Sequence, residues 1–183
     1  MLLNVNSSSL LVVDVQEGLL PAVSEPRQVI DNTQILLQTA CQLGVPVFVS
    51  EQYPKGLGHT AQSLDSFLNE AQAQVFEKIN FSCYRENQIR EVIGQQSQRK
   101  QLVICGMEAH VCVLQTAIEF QQAEYDVFLV TDAISSRMNE NKKVACERMQ
   151  QAGVTLVSTE MVAFEWMGKA GTDSFKSIAA LIK

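Results

Sequence analysis

The sequence predicts a doubly wound, three-layer α/β/α domain with a mostly parallel sheet. Three observations carry that expectation: short apolar runs that end in polar residues, segments of helical period between them, and apolar content sufficient for one core. Continuous apolar runs bounded by turn residues are the pattern of parallel strands covered on both faces. Strands that alternate with helices imply right-handed crossovers, with helices on both sides of the sheet. At 183 residues and 46% hydrophobic content, a single domain over residues 1–183 is expected.

Ser9 to Val15 reads as the first strand, an apolar run closing on the acid Asp14. Val29, Ile30, Thr33, Leu36, Leu37, Ala40 and Cys41 then recur at helical spacing, with Pro26 ahead as a start signal and Gly44 behind as a stop. Val45 to Glu51 is the second buried strand, and Tyr53 to His59 reads as a loop because Pro54, Gly56 and Gly58 interrupt it. A short helix is expected over Ala61 to Asn69, a third strand over Gln74 to Phe81 and a polar helix over Arg85 to Gln95. The strand Gln101 to Gly106 follows, then a helix from near His110 to about Glu124 with Val111, Leu114 and Ile118 along one face. Tyr125 to Thr131 reads as the fifth strand, Asn139 to Gln151 as a helix and Thr155 to Ser158 as a sixth strand. That strand leads into the apolar segment Met161 to Trp166, which reads as an interface or a buried edge strand, and Ser174 to Ile182 reads as a closing helix.

Charge narrows the partners. With 14 basic against 20 acidic residues the formal charge is -6, which repels a phosphate backbone, so no nucleic acid is expected. Met1 to Val15 carries no Lys or Arg and its apolar run is broken by Asp14, so neither a signal peptide nor a membrane span is expected. Five cysteines in strand-like and helix-like runs do not form a secreted disulfide framework, which points to the cytoplasm. There is no Cys-x-x-Cys pair, no phosphate-binding Gly-x-x-x-x-Gly-Lys and no Gly-x-Gly-x-x-Gly, so no nucleotide cofactor is expected.

In such a sheet ligands bind beyond the carboxyl ends of the strands. Three reactive residues fall there: Asp14 at the end of strand one, Lys78 toward the end of strand three and Cys112 just after strand four. Each alone has a plain structural explanation, as a loop-ordering acid, a solvated surface charge and a packed thiol. Together they form a nucleophile with its acid–base and electrostatic partners. Gly106 to Cys112 turns a strand into a helix with the thiol in its first turn, where the helix N-terminus favours thiolate and offers amide groups to an oxyanion. Lys78 would favour thiolate further and keep Asp14 ionised, leaving that carboxylate to shuttle the thiol proton.

The stretch Leu11-Val12-Val13-Asp14-Val15-Gln16, the lysine of Phe76-Glu77-Lys78 and the run Gly106 to Val113 resemble the isochorismatase-like cysteine hydrolase superfamily. Ser50-Glu51-Gln52-Tyr53-Pro54-Lys55-Gly56-Leu57-Gly58, Phe81-Ser82 and Cys105 to His110 are similar to its isochorismatase domain-containing protein branch. The resemblance covers nearly the whole chain. It implies a six-stranded sheet of order 3-2-1-4-5-6, a triad of Asp14, Lys78 and Cys112, and a non-proline cis peptide at Met107–Glu108. It also implies an oxyanion hole from the backbone N–H groups of Glu108 and Cys112. Nicotinamidases of the superfamily carry an Asp-x-His metal motif where this chain reads Glu51-Gln52-Tyr53, so no metal is expected. Enzymes that cleave isochorismate itself lack the cysteine, so Cys112 argues against that reaction.

The expected function is cysteine-dependent hydrolysis of a small amide, ureide or related C–N bond through a thioester acyl-enzyme. Gln52, Tyr53, Phe81, Tyr84 and His110 are candidate pocket residues, although Phe81 also reads as core and His110 as a helix cap. His59 reads as a solvated loop residue. Two alternatives stay open at this point: a non-catalytic oligomeric module of the same fold, and a thiol redox sensor. Cys83 and Cys105 do not read as redox partners of Cys112. Self-association through the Met161 to Trp166 segment is expected.

Overall fold

The protein's structure, a computed structural model, describes residues 1–182. Six strands form one sheet of order β3-β2-β1-β4-β5-β6: β1 (Ser8–Val13), β2 (Val47–Gln52), β3 (Gln74–Lys78), β4 (Gln101–Met107), β5 (Asp126–Ser135) and β6 (Thr155–Val157). Every neighbouring pair is parallel. The helices are α1 (Pro26–Leu43), α2 (Pro54–Leu57), α3 (Asp65–Glu70), α4 (Asn87–Gln95), α5 (Leu114–Gln122), α6 (Asn139–Gln151), α7 (Thr159–Met167) and α8 (Asp173–Leu181). None of them is long and apolar enough to cross a membrane.

Alternation along the strands builds two apolar layers, one on each face of the sheet. Leu10, Val12, Val49, Val103 and Val130 pack with Leu36, Leu37 and Ala40 of α1 and Val162 and Trp166 of α7. Leu11, Val13, Phe48, Ile104 and Leu129 pack on the other face with Ile93 of α4, Phe120 of α5 and Met149 of α6. The chain winds outward in one direction from β1 and in the other from β4. The crevice between those two strands is therefore the switch point where ligands bind in this architecture.

Backbone geometry opens that crevice. Gly106 has φ 121°, and a Cβ placed there would lie 1.9 Å from the Val13 carbonyl oxygen, so only glycine lets β4 approach β1 this closely. Asp14 has φ 51°, a left-handed conformation that ends the extended run of β1. Strict alternation would send its carboxylate to the α1 side with Leu10 and Val12. It instead meets Ser50 and Lys78.

The structure shifts several expected boundaries. β5 runs to Ser135 rather than Thr131, because the β4–β5 register jumps: Leu129 faces Ile104 while Ile134 already faces Gly106. The bulge holds the polar pair Thr131 and Asp132, whose carboxylate accepts from the Thr159 N–H at 2.8 Å and caps α7. The segment Met161 to Trp166 lies in α7 and not in an edge strand. Ser158 accepts from the Met161 N–H, and Val162, Ala163 and Trp166 turn inward while Met161 and Phe164 stay exposed. The loop Tyr53 to His59 contains the short turn α2, and β3 stops at Lys78, short of Phe81.

Candidate active site

Lys78, the last residue of β3, and Asp14, just beyond β1, are joined across the end of β2. Lys78 Nζ lies 2.8 Å from Asp14 Oδ2, and both side chains have no solvent exposure. Nζ also donates to Gln52 Oε1 at 2.6 Å, the Phe81 carbonyl at 2.9 Å and the Asn80 carbonyl at 3.2 Å. These acceptors saturate the hydrogens of an ammonium, so Lys78 is held charged and has no donor left for a substrate. Asp14 Oδ1 accepts from Ser50 Oγ at 2.7 Å, and Ser50 Oγ in turn lies 3.4 Å from the Cys83 Sγ.

Cys112 lies close enough to this pair for the Asp14 carboxylate and the Lys78 ammonium both to act on the ionisation of its thiol. It is not in the first turn of a regular helix. Ala109–Val113 forms a wider π turn that leads into α5, and the Glu108 carbonyl accepts from the Val111 and Val113 N–H groups at 3.0 and 3.3 Å. The Met107–Glu108 peptide is cis. Among the described residues, no acceptor takes the Glu108 N–H. Cys112 keeps 5% exposure where Lys78 has 2% and Asp14 0%, so it is the least deeply buried residue of the three.

Burial dominates the ionisation of these groups. It pushes the Asp14 carboxyl upward, against Lys78, Ser50 and Cys112, which pull it down. Burial also opposes the Lys78 charge, but Asp14 together with Cys83 and Cys112 more than offsets it and the ammonium is held above its ordinary value. For Cys112, burial and then the Asp14 carboxylate push the thiol far up, and Lys78 recovers only part of that. The helix N-terminus and Lys78 were expected to favour thiolate. In the structure burial and the Asp14 carboxylate act in the opposite direction and hold the sulfur toward its protonated form. Cys83, wholly buried, is pushed up to about 11.

The proposed pocket residues separate. Gln52 is buried and not free for a substrate: its oxygen serves Lys78, its amide donates to the Ile79 carbonyl at 2.8 Å, and its backbone N–H donates to Gln16 Oε1 at 2.7 Å. Tyr84 stands edge-on to Phe120, with ring centroids 5.1 Å apart, and belongs to the core beside α5. Phe81 is not core, being 54% exposed. Tyr53 is exposed and lies against its own turn, where its ring would be 2.5 Å from a Cβ at Gly56. His110 Nδ1 meets Ser136 Oγ at 3.0 Å. His59 is exposed but not simply solvated, since its Nδ1 lies 2.9 Å from Glu51 Oε2. Glu51 also accepts from the Thr60 N–H and hydroxyl at 2.6 and 2.8 Å, which fixes the loop after α2.

Ser50 and Cys83 were not anticipated as members of the site. The available signal was a serine followed by Glu51 and Gln52 at the carboxyl end of an apolar strand, where a polar residue faces the crevice. Cys83 arrives through its backbone, whose N–H donates to Thr116 Oγ1 at 2.9 Å, one helical turn beyond Cys112.

The Isochorismatase domain family matches residues 8–161. The secreted isochorismatase effector Isc1 of Phytophthora sojae is 38% identical over 179 residues, which span 97% of this chain and 85% of the effector. The MAR1 ribonuclease structure from Caenorhabditis elegans superposes with a TM-score of 0.92 at 32% identity, covering 100% of this chain and 92% of that one. The YcaC structure from Escherichia coli, an octameric hydrolase of unknown specificity, gives 0.91 at 25% identity, covering 99% and 90%.

Proposed function

This chain belongs to the isochorismatase domain family, with the hydrolase fold of that family, and from that premise we propose that it hydrolyses a small amide, ureide or related C–N bond through a thioester on Cys112. The observation that carries this reading is the buried Asp14–Lys78 ion pair at 2.8 Å, both of whose charges act on the thiol of the less deeply buried Cys112.

In the proposed cycle the Asp14 carboxylate takes the thiol proton as the sulfur attacks the carbonyl carbon. The carbonyl electron pair moves onto oxygen, where the N–H groups of Glu108 and Cys112 receive it. The tetrahedral adduct collapses, the proton on Asp14 passes to the departing nitrogen, and a thioester remains. A water then loses a proton to Asp14 and adds to the thioester carbonyl. Collapse releases the carboxylic acid, and the sulfur recovers the proton from Asp14. Lys78 donates nothing to the substrate; it keeps Asp14 charged in a site that burial would otherwise neutralise.

The charge of -6 supports a small molecule rather than a nucleic acid as substrate, although one structural relative is named a ribonuclease. The thiol supports carbonyl attack over the reaction on isochorismate that the name of the Phytophthora relative denotes. Five free cysteines support a reducing compartment, the cytoplasm, whereas that relative is named as secreted. The octameric neighbour supports a homo-oligomer. Incubation with a panel of small amides, ureides and carbamates, read by intact mass, should give an acyl adduct that Cys112→Ala lacks. A panel that gives neither adduct nor product defeats the proposal.

Ser50 supplies a second check. Asp14 must be ionised to accept the thiol proton, so activity is present above its pKa and lost as pH falls through it. The Ser50 hydroxyl lowers that value. Ser50→Ala should therefore move the acid limb of kcat/KM to higher pH while the alkaline limb stays in place. An acid limb that does not move removes Asp14 from the role of base.

A further inference from the structure

We propose that Arg137 is a positioning residue for the oxyanion hole, acting through the Glu108 side chain; this rests on the hydrolase reading above. Glu108 leaves β4 at the crevice with its N–H unclaimed by any acceptor among the described residues. Its carboxylate is clamped from the other side of the turn. Arg137 Nε donates to Oε1 at 2.9 Å and Nη2 to Oε2 at 2.8 Å, a two-point contact that fixes orientation as well as distance. The Arg137 N–H lies 3.4 Å from the same Oε1.

The clamp sits on a fixed frame. Ser136, the residue before it, meets His110 Nδ1 at 3.0 Å, so adjacent residues after β5 hold both Glu108 and His110. The frame is tied in turn to the segment before α1, where the Ser24 N–H donates to the Ser136 carbonyl at 2.9 Å and Ser135 Oγ donates to the Ser24 carbonyl. Two side chains of the nucleophile turn are thereby pinned to one rigid neighbour. An oxyanion donor works only when held within about 0.5 Å of its required place before the charge develops. The Glu108 peptide plane shares its Cα with the clamped side chain, so holding the carboxylate holds the N–H.

Exposure separates this role from a stability role. The Arg137 side chain is 59% exposed and that of Glu108 7%, and an ion pair open to solvent on one side contributes little to folding. Arg137 also touches neither Cys112, Asp14 nor Lys78 among its hydrogen bonds. Its loss should therefore spare the fold and the thiol and disturb only the step in which carbonyl oxygen gains charge.

The test compares two reactions of one sulfur. Acylation by an activated amide or ester builds an oxyanion, whereas alkylation by iodoacetamide displaces iodide at a saturated carbon and builds none. In Arg137→Met, kcat and the acylation rate should fall about 10- to 100-fold with KM nearly unchanged. The iodoacetamide rate and the thermal midpoint should stay at their unmodified values. Glu108→Gln should reproduce the pattern, and guanidinium ion should restore part of the acylation lost in Arg137→Ala. Equal acylation in Arg137→Met and the unmodified protein overturns the inference while leaving the hydrolase reading intact. A parallel loss of acylation and alkylation overturns it too, since Arg137 would then act on the thiol or the fold. Absence of any acylation in the unmodified protein overturns both.

Discussion

Cys112→Ala is expected to lower turnover by roughly four to six orders of magnitude, the scale on which loss of a covalent nucleophile is felt. Its cost to folding should be on the order of 1 kcal/mol, because a single sulfur at the rim of the core is removed. The five thiols differ sharply in what surrounds them, which makes the prediction specific. Cys105 lies in β4 on the α1 face, is wholly buried and is pushed up to about 12. Cys41 is exposed, but its sulfur meets only the Glu70 carbonyl, at 3.2 Å, and no base stands beside it. Of the two cysteines whose ionisation responds to both Asp14 and Lys78, Cys83 has no exposure and Cys112 keeps 5%. Cys41→Ala should therefore turn over at the unmodified rate. Cys112→Ser should remain inactive despite its similar shape, since a hydroxyl surrenders its proton to a carboxylate far less readily than a thiol does. Steady-state kinetics and thermal denaturation of these three variants decide the matter, and full turnover in Cys112→Ala would remove the covalent mechanism.

How far the sequence could be read depended on where each signal was local. The strands were legible because burial on both faces leaves them apolar end to end, as in Leu10 to Val13 and Leu102 to Ile104. Their order came from the family resemblance and not from periodicity, which carries no information on which strands touch. Thr131 and Asp132 ended β5 too early on paper because a bulge places polar residues inside a strand, and Arg137 was lost with them. Met161 to Trp166 was ambiguous because a short apolar run suits an edge strand as well as a buried helix; the Ser158 cap resolves it as a helix. The meeting of Asp14 and Lys78 was legible from their places at strand ends. The ionisation of the Cys112 sulfur was not, because burial acts on a thiol through residues from every element around it. Ser50 and Cys83 were overlooked for the same reason: Ser50 meets Asp14 only once β1 and β2 lie side by side, and Cys83 joins them only through Ser50.

Lys78→Met should destabilise the protein by about 3–5 kcal/mol, the cost of leaving one half of a buried ion pair without its partner. Methionine fills the space of the aliphatic stem, but Asp14, Gln52 and the carbonyls of Asn80 and Phe81 all lose the donor at Nζ. Asp14→Asn in the same chain removes the stranded charge, so the double variant should lose less than the two single losses added together. A double-mutant cycle should return a coupling of about 2 kcal/mol or more. The pH dependence gives the loss a signature. Without Lys78 the Asp14 carboxyl, already raised by burial, moves further upward. Between the ordinary carboxylate pKa and that raised value, the folded state of Lys78→Met holds a proton that the unfolded chain does not, so its stability falls as pH rises through this window and levels off above it. The deficit against the unmodified protein should thus be larger at pH 8 than at pH 5 by denaturant unfolding. Additive losses in the cycle, or a deficit that ignores pH, would mean that the ammonium and the carboxylate do not hold one another in the interior, and the base assigned to Cys112 would have no means of staying charged.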